Sequence, residues 1–374
     1  MKIIIYIEAL RTFTSGTPHR GILIKLIELC QNDEFVLVLR EGYLSEHMQE
    51  LFNRLKKFPN WTLVYEKKSR KLVNFLALIH SKNHCKISVK GDLYLNFDAE
   101  YLGAGNYPQI ITVHDLSSVR SDGTSSISPI KRIARKFAIE NGIKHSNYIV
   151  SISDFTKNDI IDYFQIENKK ITTIHNGIDS EWFLKNKIKK KIKDNYWIWW
   201  GAFSERKNLE RLLIAYKLFL EKNRKYQNIP DLYFIGTKNE YSKKLDKIIE
   251  NSSTLQEKVY FFNSMELNNL KIYVKNSKGL LFPSLYEGFG LPVIEAYSQG
   301  VPVLTSNISS LPEIAGNLGF FVNPKDIKSI ENGLEKLYLP HFSEIELKEW
   351  AKKFSYEIGF NKYLKVIQKC IKEN

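Results

Sequence analysis

Short runs of β-branched and aromatic residues alternate with amphipathic stretches along the whole chain. In the first half they are Ile3 to Ile7, Phe35 to Leu39, Leu93 to Phe97, Ile110 to Val113 and Tyr148 to Ser151. In the second half they are Trp197 to Trp200, Leu232 to Ile235, Val259 to Phe261, Gly279 to Phe282, Pro302 to Thr305 and Phe320 to Val322. Apolar runs separated by helical stretches predict parallel strands covered by helices, so each half reads as a doubly wound α/β domain. Between the halves, Trp182-Phe183-Leu184 gives way to a Lys-rich stretch ending at Lys193. Dense like charge repels itself in a packed element, so the pattern divides the chain into domains of 1–185 and 186–354. The last segment, from about Glu344 to Asn374, has a helical pattern with apolar Trp350, Phe354, Ile358 and Tyr363. Met1 to Ile7 is closed by Glu8 and reads as a first buried strand rather than a secretion signal. No stretch has the roughly 18 uninterrupted apolar residues of a spanning helix.

Composition agrees with two ordered domains, because 374 residues exceed what one core usually organises. Hydrophobic residues make up 43% and aromatics 13%, far from the signature of a disordered chain. The three cysteines, Cys30, Cys85 and Cys370, form no C-x-x-C pair. That usage points to a reducing, cytoplasmic setting. A formal net charge of +14 favours an anionic partner: nucleic acid, acidic lipid or anionic substrate. The charge clusters at Lys67 to Lys71, at Lys131, Arg132, Arg135 and Lys136, and at Lys185 to Lys193. A solvated basic surface accounts for the same residues.

In open α/β sheets ligands bind beyond the carboxyl ends of the strands, and the candidate chemistry gathers there. Pro283-Ser284-Leu285-Tyr286-Glu287-Gly288-Phe289-Gly290-Leu291-Pro292-Val293-Ile294-Glu295 follows the run ending at Phe282 and reads as strand, glycine loop, helix. Gly288 and Gly290 allow close backbone approach, Pro292 suits a first helical turn, and the free N–H groups of the helix start attract anions. Glu287 and Glu295 flank the loop with seven residues between them. Carboxylates accept from hydroxyls, so Glu287 suits donor-sugar hydroxyls and Glu295 a ribose diol; helix capping is the plainer alternative. A second loop, Gly201-Ala202-Phe203-Ser204-Glu205-Arg206-Lys207-Asn208, also opens a helix. Cations disfavour a helix N-terminus, so Arg206 and Lys207 point to an anionic ligand, unless the turn is merely exposed. In the first half, His114-Asp115 follows the strand ending at Val113, Ser151-Ile152-Ser153 ends the next, and His175-Asn176-Gly177-Ile178-Asp179 forms a turn. His114 is either structural or a hydrogen-bonding or catalytic group.

Together these segments resemble the family 4 (group 1) retaining glycosyltransferases, which have the GT-B fold of two Rossmann-like domains facing a central cleft. Glu287 to Glu295 looks like the family's E-x7-E motif, and Arg206-Lys207-Asn208 like its R-K-N variant, as in bacterial mannosyl- and rhamnosyltransferases. His114-Asp115, Ser153, Asn176-Gly177-Ile178-Asp179 and Thr305 to Glu313 match further landmarks over about 110–325. The resemblance implies that Arg206 and Lys207 neutralise a departing diphosphate and that Glu295 binds the ribose. It implies that Glu287, with Gly288, Phe289, Gly290, Leu291 and Gly201, positions the donor, and that His114 contacts the sugar. Gly16, Asp115 and Ser153 are the acceptor-side candidates. Relatives commonly have Gly-Arg where Gly201-Ala202 stands, which leaves open whether Arg206 replaces that arginine. Ser15 to Gly21 stands where a Gly-Gly loop is usual. No D-x-D triplet occurs, so neither metal nor cofactor is expected.

The implied function is metal-independent transfer from a nucleotide-sugar donor, with GDP favoured by the R-K-N motif. The acceptor would be a glycan or lipid-linked sugar of surface polysaccharide or lipopolysaccharide synthesis. The C-terminal helix, 355–374, is expected to pack back on the first domain. Peripheral contact with anionic membrane at the inner face of the cytoplasmic membrane would use the basic clusters. A GT-B-fold sugar-nucleotide epimerase and a nucleic-acid-binding protein are the competing readings. Against the second, the basic clusters lack interleaved aromatic residues for base stacking.

Overall fold

A computed structural model describes residues 1–11, 16–40, 44–66, 89–99, 107–120, 128–184, 195–223, 228–339 and 343–373. The Lys67–Lys71 and Lys185–Lys193 clusters and Ser15 lie outside the described residues. The chain forms two compact units, the first built from Met1–Ser121, Ile127–Asp179 and Phe354–Asn374, the second from Ser180–Lys353.

In the first unit seven strands run in the order β3-β2-β1-β4-β5-β6-β7: β1 Lys2–Tyr6, β2 Glu34–Arg40, β3 Trp61–Glu66, β4 Leu93–Asn96, β5 Gln109–Val113, β6 Tyr148–Ser151 and β7 Ile171–Thr173. Every pairing is parallel. On one face Ile3, Ile5 and Leu37 pack with Leu23 and Leu26 of the helix Gly16–Leu29 and with Phe360, Tyr363 and Ile367 of the helix Tyr356–Lys372. Other side chains of the same sheet, Ile111, Val113 and Ile149, pack with Ile139, Ile143 and Ile160 of the helices Pro129–His145 and Asp154–Phe164. Neither β3 nor β7 stands out in the sequence. An edge strand such as β3 is only partly buried and carries no continuous apolar run, and β7 has three residues.

In the second unit six strands run in the order β10-β9-β8-β11-β12-β13: β8 Tyr196–Trp200, β9 Asp231–Ile235, β10 Val259–Phe262, β11 Gly279–Phe282, β12 Val303–Ser306 and β13 Phe320–Val322. These pairings are also parallel. All five residues of β8 are buried, as expected for a strand covered on both faces. Trp197 meets Tyr216 and Phe219 of the helix Leu209–Lys222 with ring centroids 6.0 and 5.4 Å apart. Trp200 has the opposite parity and points to the other face.

The division falls between Asp179 and Ser180, ahead of the Lys-rich stretch rather than within it. The reason is local: the short helix Ser180–Phe183 is tied into the second unit by the buried Lys271 ammonium, which donates to the Glu181 carbonyl, and by Gln299, which donates to Trp182. Apolar Trp182 follows these bonds. The C-terminal pattern likewise resolves into two helices. Glu344–Lys352 belongs to the second unit, and Tyr356–Lys372 begins at Ser355, whose hydroxyl accepts the Ile358 N–H. In the first unit the Ile178 N–H donates to the Phe354 carbonyl at 2.9 Å. Gly177 packs so closely on Tyr356 that a Cβ there would lie 2.7 Å from its backbone N.

Candidate active site

A doubly wound sheet opens where neighbouring strands send their connections to opposite sides. In the second unit that point lies between β8 and β11, and the loops leaving them are Gly201–Asn208 and Pro283–Gly290. Gly201 has φ +140°, and its carbonyl oxygen would lie 2.3 Å from a Cβ on Gly236, so both positions need glycine. Asn208 takes the left-handed conformation, φ 61°, that asparagine tolerates. Its buried amide donates to the carbonyls of Pro283 (3.0 Å) and Pro324 (2.6 Å), and the Leu285 N–H donates to the Arg206 carbonyl at 2.7 Å. These bonds lace the two loops together. Gly290 caps the helix Leu291–Ser298 at φ +99°, where a Cβ would meet Leu311 at 2.7 Å. Gly288 and Phe289 are buried and Leu291 is half-buried.

The lacing brings the predicted charges into one cluster. Arg206 Nη1 donates to Glu287 Oε2 at 2.6 Å and Lys207 Nζ to Glu287 Oε1 at 2.6 Å. Glu287 and Lys207 are buried, and the ammonium also lies 4.7 Å from the Phe282 ring centroid. Burial pushes the Glu287 carboxyl upward, but the charges of Arg206 and Lys207 and their hydrogen bonds outweigh it and hold the group down at about 2. The two cations selected for an anionic ligand are therefore seated on the loop's own carboxylate. A backbone clamp supports that seat: the Ser310 hydroxyl lies 2.9 Å from the carbonyls of both Glu287 and Phe289, and the Glu287 N–H donates to Ser309 Oγ at 3.3 Å.

Glu295, partly buried on the helix Leu291–Ser298, has different neighbours. Trp200 Nε1 donates to its Oε2 at 3.0 Å. Burial pushes this carboxyl up to about 7, with the indole N–H holding it back. The loop and the helix it leads into thus carry one carboxyl held low by two cations and one raised by burial. Sequence reasoning passed over Trp200, Ser309 and Ser310. Trp200 ends its strand at the carboxyl edge of the sheet, where ligands gather, and that signal was available.

In the first unit His114 directly follows β5. Its Nε2 lies 2.8 Å from the Phe97 carbonyl, while Nδ1 is buried without a hydrogen-bond partner among the described residues. The His19 ring meets the His114 ring edge-on at 4.9 Å, and His19 Nε2 lies 3.1 Å from the Tyr363 hydroxyl, which is 3.0 Å from Thr112 Oγ1. The sequence did not single out His19 or Thr112. Asp115 Oδ1 accepts from the Ser117 N–H (2.8 Å) and hydroxyl (2.6 Å), a local turn. Ser153 caps the helix Asp154–Phe164 by accepting the Thr156 N–H at 3.0 Å. Gly16 is the first residue of its helix. Asp115 and Ser153 therefore hold their own backbone.

Two parallel-sheet units, with loops at a switch point carrying an Arg-Lys-Glu cluster, define a GT-B-type architecture. The crystal structure of a glycosyltransferase from Rickettsia africae superposes with a TM-score of 0.72 at 14% identity, covering 100% of this chain and 99% of that one. Residues 180–354 match the family model described as "Glycosyl transferases group 1", and residues 90–182 match "Glycosyltransferase Family 4". Residues 90–354 thus carry the domains of the family 4, group 1 glycosyltransferases. The O-antigen chain mannosyltransferase RfbU of Salmonella typhimurium is 28% identical over 229 residues, 61% of this chain and 60% of RfbU. The O-antigen chain mannosyltransferase B of Escherichia coli is 26% identical over 261 residues, 66% of this chain and 67% of that protein. The matched region thus spans about 60% of the length of RfbU.

Proposed function

We propose that the protein moves a sugar, with retention of anomeric configuration, from a nucleoside-diphosphate donor to a glycan or lipid-linked acceptor in surface polysaccharide biosynthesis. The observation that carries this is the pairing of Arg206 and Lys207 with Glu287 at the mouth of the glycine loop. Two cations held at a switch point match the two negative charges of a diphosphate, and the helix start at Leu291 adds the positive end of its dipole. On donor binding the cations exchange part of their contact with Glu287 for phosphate oxygens. The released carboxylate then accepts from donor-sugar hydroxyls, and Glu295 accepts from the ribose diol.

In this account the bond from the anomeric carbon to the leaving phosphate oxygen stretches first. Negative charge grows on the diphosphate, where Arg206 and Lys207 stabilise it more strongly than in the ground state. The acceptor hydroxyl attacks from the same face and passes its proton to the departing oxygen. No divalent ion is required, because the two side chains supply the positive charge. The two O-antigen mannosyltransferase relatives support a mannose-type sugar; a GDP-linked donor and an acceptor at the inner face of the cytoplasmic membrane complete the proposal.

The family matches favour transfer over epimerisation or nucleic-acid binding. The test is donor turnover with and without a membrane-derived glycolipid fraction. Transfer predicts labelled sugar in the lipid phase, α-linked from an α-donor, and little turnover without acceptor. Epimerised or hydrolysed donor formed at the same rate without acceptor contradicts it.

A further inference from the structure

Among the described residues three that are not glycine take a left-handed backbone: Gln165 at φ 51°, Asn208 at φ 61° and Ser309 at φ 58°. The first two are accounted for. Gln165 is the exposed residue that ends the helix Asp154–Phe164, a place where this conformation is common. Asparagine tolerates it, and the Asn208 amide laces two loops together. Ser309 stands in the turn between β12 and the short helix Leu311–Ala315, where glycine would adopt the same backbone without strain. A strained backbone that the turn itself does not require points to a function for the side chain it carries.

The neighbouring hydroxyls show what such a group does when it serves the fold. Thr305, Ser306 and Ser310 are buried, and each donates to backbone of the glycine loop: Thr305 to the Phe282 carbonyl at 3.1 Å, Ser306 to that of Ser284 at 2.6 Å, and Ser310 to those of Glu287 and Phe289 at 2.9 Å. Ser309 differs on each count. It is half-buried, its Oγ accepts the Glu287 N–H at 3.3 Å, a long bond, and no described residue accepts its proton. Strain thus holds an O–H donor beside Glu287 at the exit of β12, next to the exit of β11. We propose that Ser309 is a contact for the donor sugar, its O–H donating to a sugar hydroxyl that in turn donates to the Glu287 carboxylate. A hydroxyl has one proton and two lone pairs, so a single sugar O–H can accept from the serine and donate to the glutamate at once. A phosphate oxygen suits the pair less well, because it has no proton for the carboxylate and finds its countercharge on Arg206 and Lys207. A site built to bond a hydroxyl rejects the sugar that lacks it, which makes Ser309 a determinant of donor specificity. The proposal rests on the transfer reading for the place of the donor.

Calorimetric titration with GDP-mannose and with GDP, together with thermal unfolding in the absence of ligand, tests it. Ser309→Ala and Ser309→Gly should each bind GDP-mannose about tenfold more weakly than the wild type and bind GDP as well as the wild type does. Without ligand, Ser309→Gly should melt above Ser309→Ala, because both lose the hydroxyl and only glycine relieves the strain. Wild-type affinity for GDP-mannose in either variant overturns the proposal. An equal loss for GDP overturns it as well, since the hydroxyl would then act on phosphate or on the loop as a whole. Equal melting of the two variants removes the strain and with it the case for a functional side chain. The transfer reading is scored on GDP alone: Lys207→Ala should weaken GDP, and wild-type GDP affinity in that variant contradicts the donor site, whereas the Ser309 proposal is scored on the difference between GDP-mannose and GDP. A wild type that binds neither ligand overturns both.

Discussion

Glu287 and Glu295 stand in one motif with seven residues between them, yet their surroundings drive them in opposite directions. Glu287, seated between Arg206 and Lys207, is held at about 2 against an ordinary 4.5. A depressed carboxyl contributes stability that is present above 4.5 and lost as pH falls toward 2. Glu287→Gln should therefore flatten stability across that window by about 3 kcal/mol, read from urea unfolding at stepped pH. It should also lower stability at neutral pH, because two cations lose their counter-ion. An unchanged acid slope would mean that the cluster is not ionised as described. Glu295, raised to about 7, behaves in reverse: its contribution is full below 4.5 and declines as pH rises to about 7. Only the ionised form accepts from both ribose hydroxyls. Donor-induced stabilisation should then grow as pH rises through about 7 and become pH-independent in Glu295→Gln. A flat wild-type profile would remove Glu295 from the ribose. Both glutamates were visible in the sequence, but this split was not, because it depends on Trp200 and on the folding of Arg206 and Lys207 onto Glu287.

The glycine loop and its helix work because of backbone geometry that few residues can adopt. Gly290 combines φ +99° with a neighbour, Leu311, 2.7 Å from where a Cβ would stand. Gly290→Ala should destabilise the second unit by about 1–3 kcal/mol and weaken nucleotide binding by displacing the start of Leu291–Ser298. Wild-type melting temperature and affinity in that variant would contradict the assigned strain. The eleven apolar runs made most strands legible, since buried parallel strands leave a continuous signal. Strand β3, partly buried at a sheet edge, and β7, with three residues, lack it. The compact units divide a few residues ahead of the boundary that charge density suggests. Charge density marks where chain is solvated, whereas the division follows Lys271 and Gln299, which bind the backbone around Trp182 from distant sequence positions.

For the molecule as a whole, the central claim is that the second unit binds a nucleoside diphosphate sugar through Arg206, Lys207 and Glu295. Motif order singles out the glycine loop in the sequence, and the loop leaves its sheet at the switch point. On the acceptor side Asp115 and Ser153 bond their own local backbone, and the loop before Gly16 is outside the described residues. Net charge of +14 suggested an anionic partner without saying where on the chain it would bind. The most direct measurement is thermal unfolding of the wild type, Lys207→Ala and Glu295→Ala with GDP-, UDP-, dTDP- and CMP-linked sugars, without added metal. One nucleotide class, expected to be GDP, should stabilise the wild type by about 2.7 kcal/mol at roughly 100 times its dissociation constant, and both variants should lose most of that gain. Stabilisation that survives in both variants, or no stabilisation by any donor at millimolar concentration, would contradict the account.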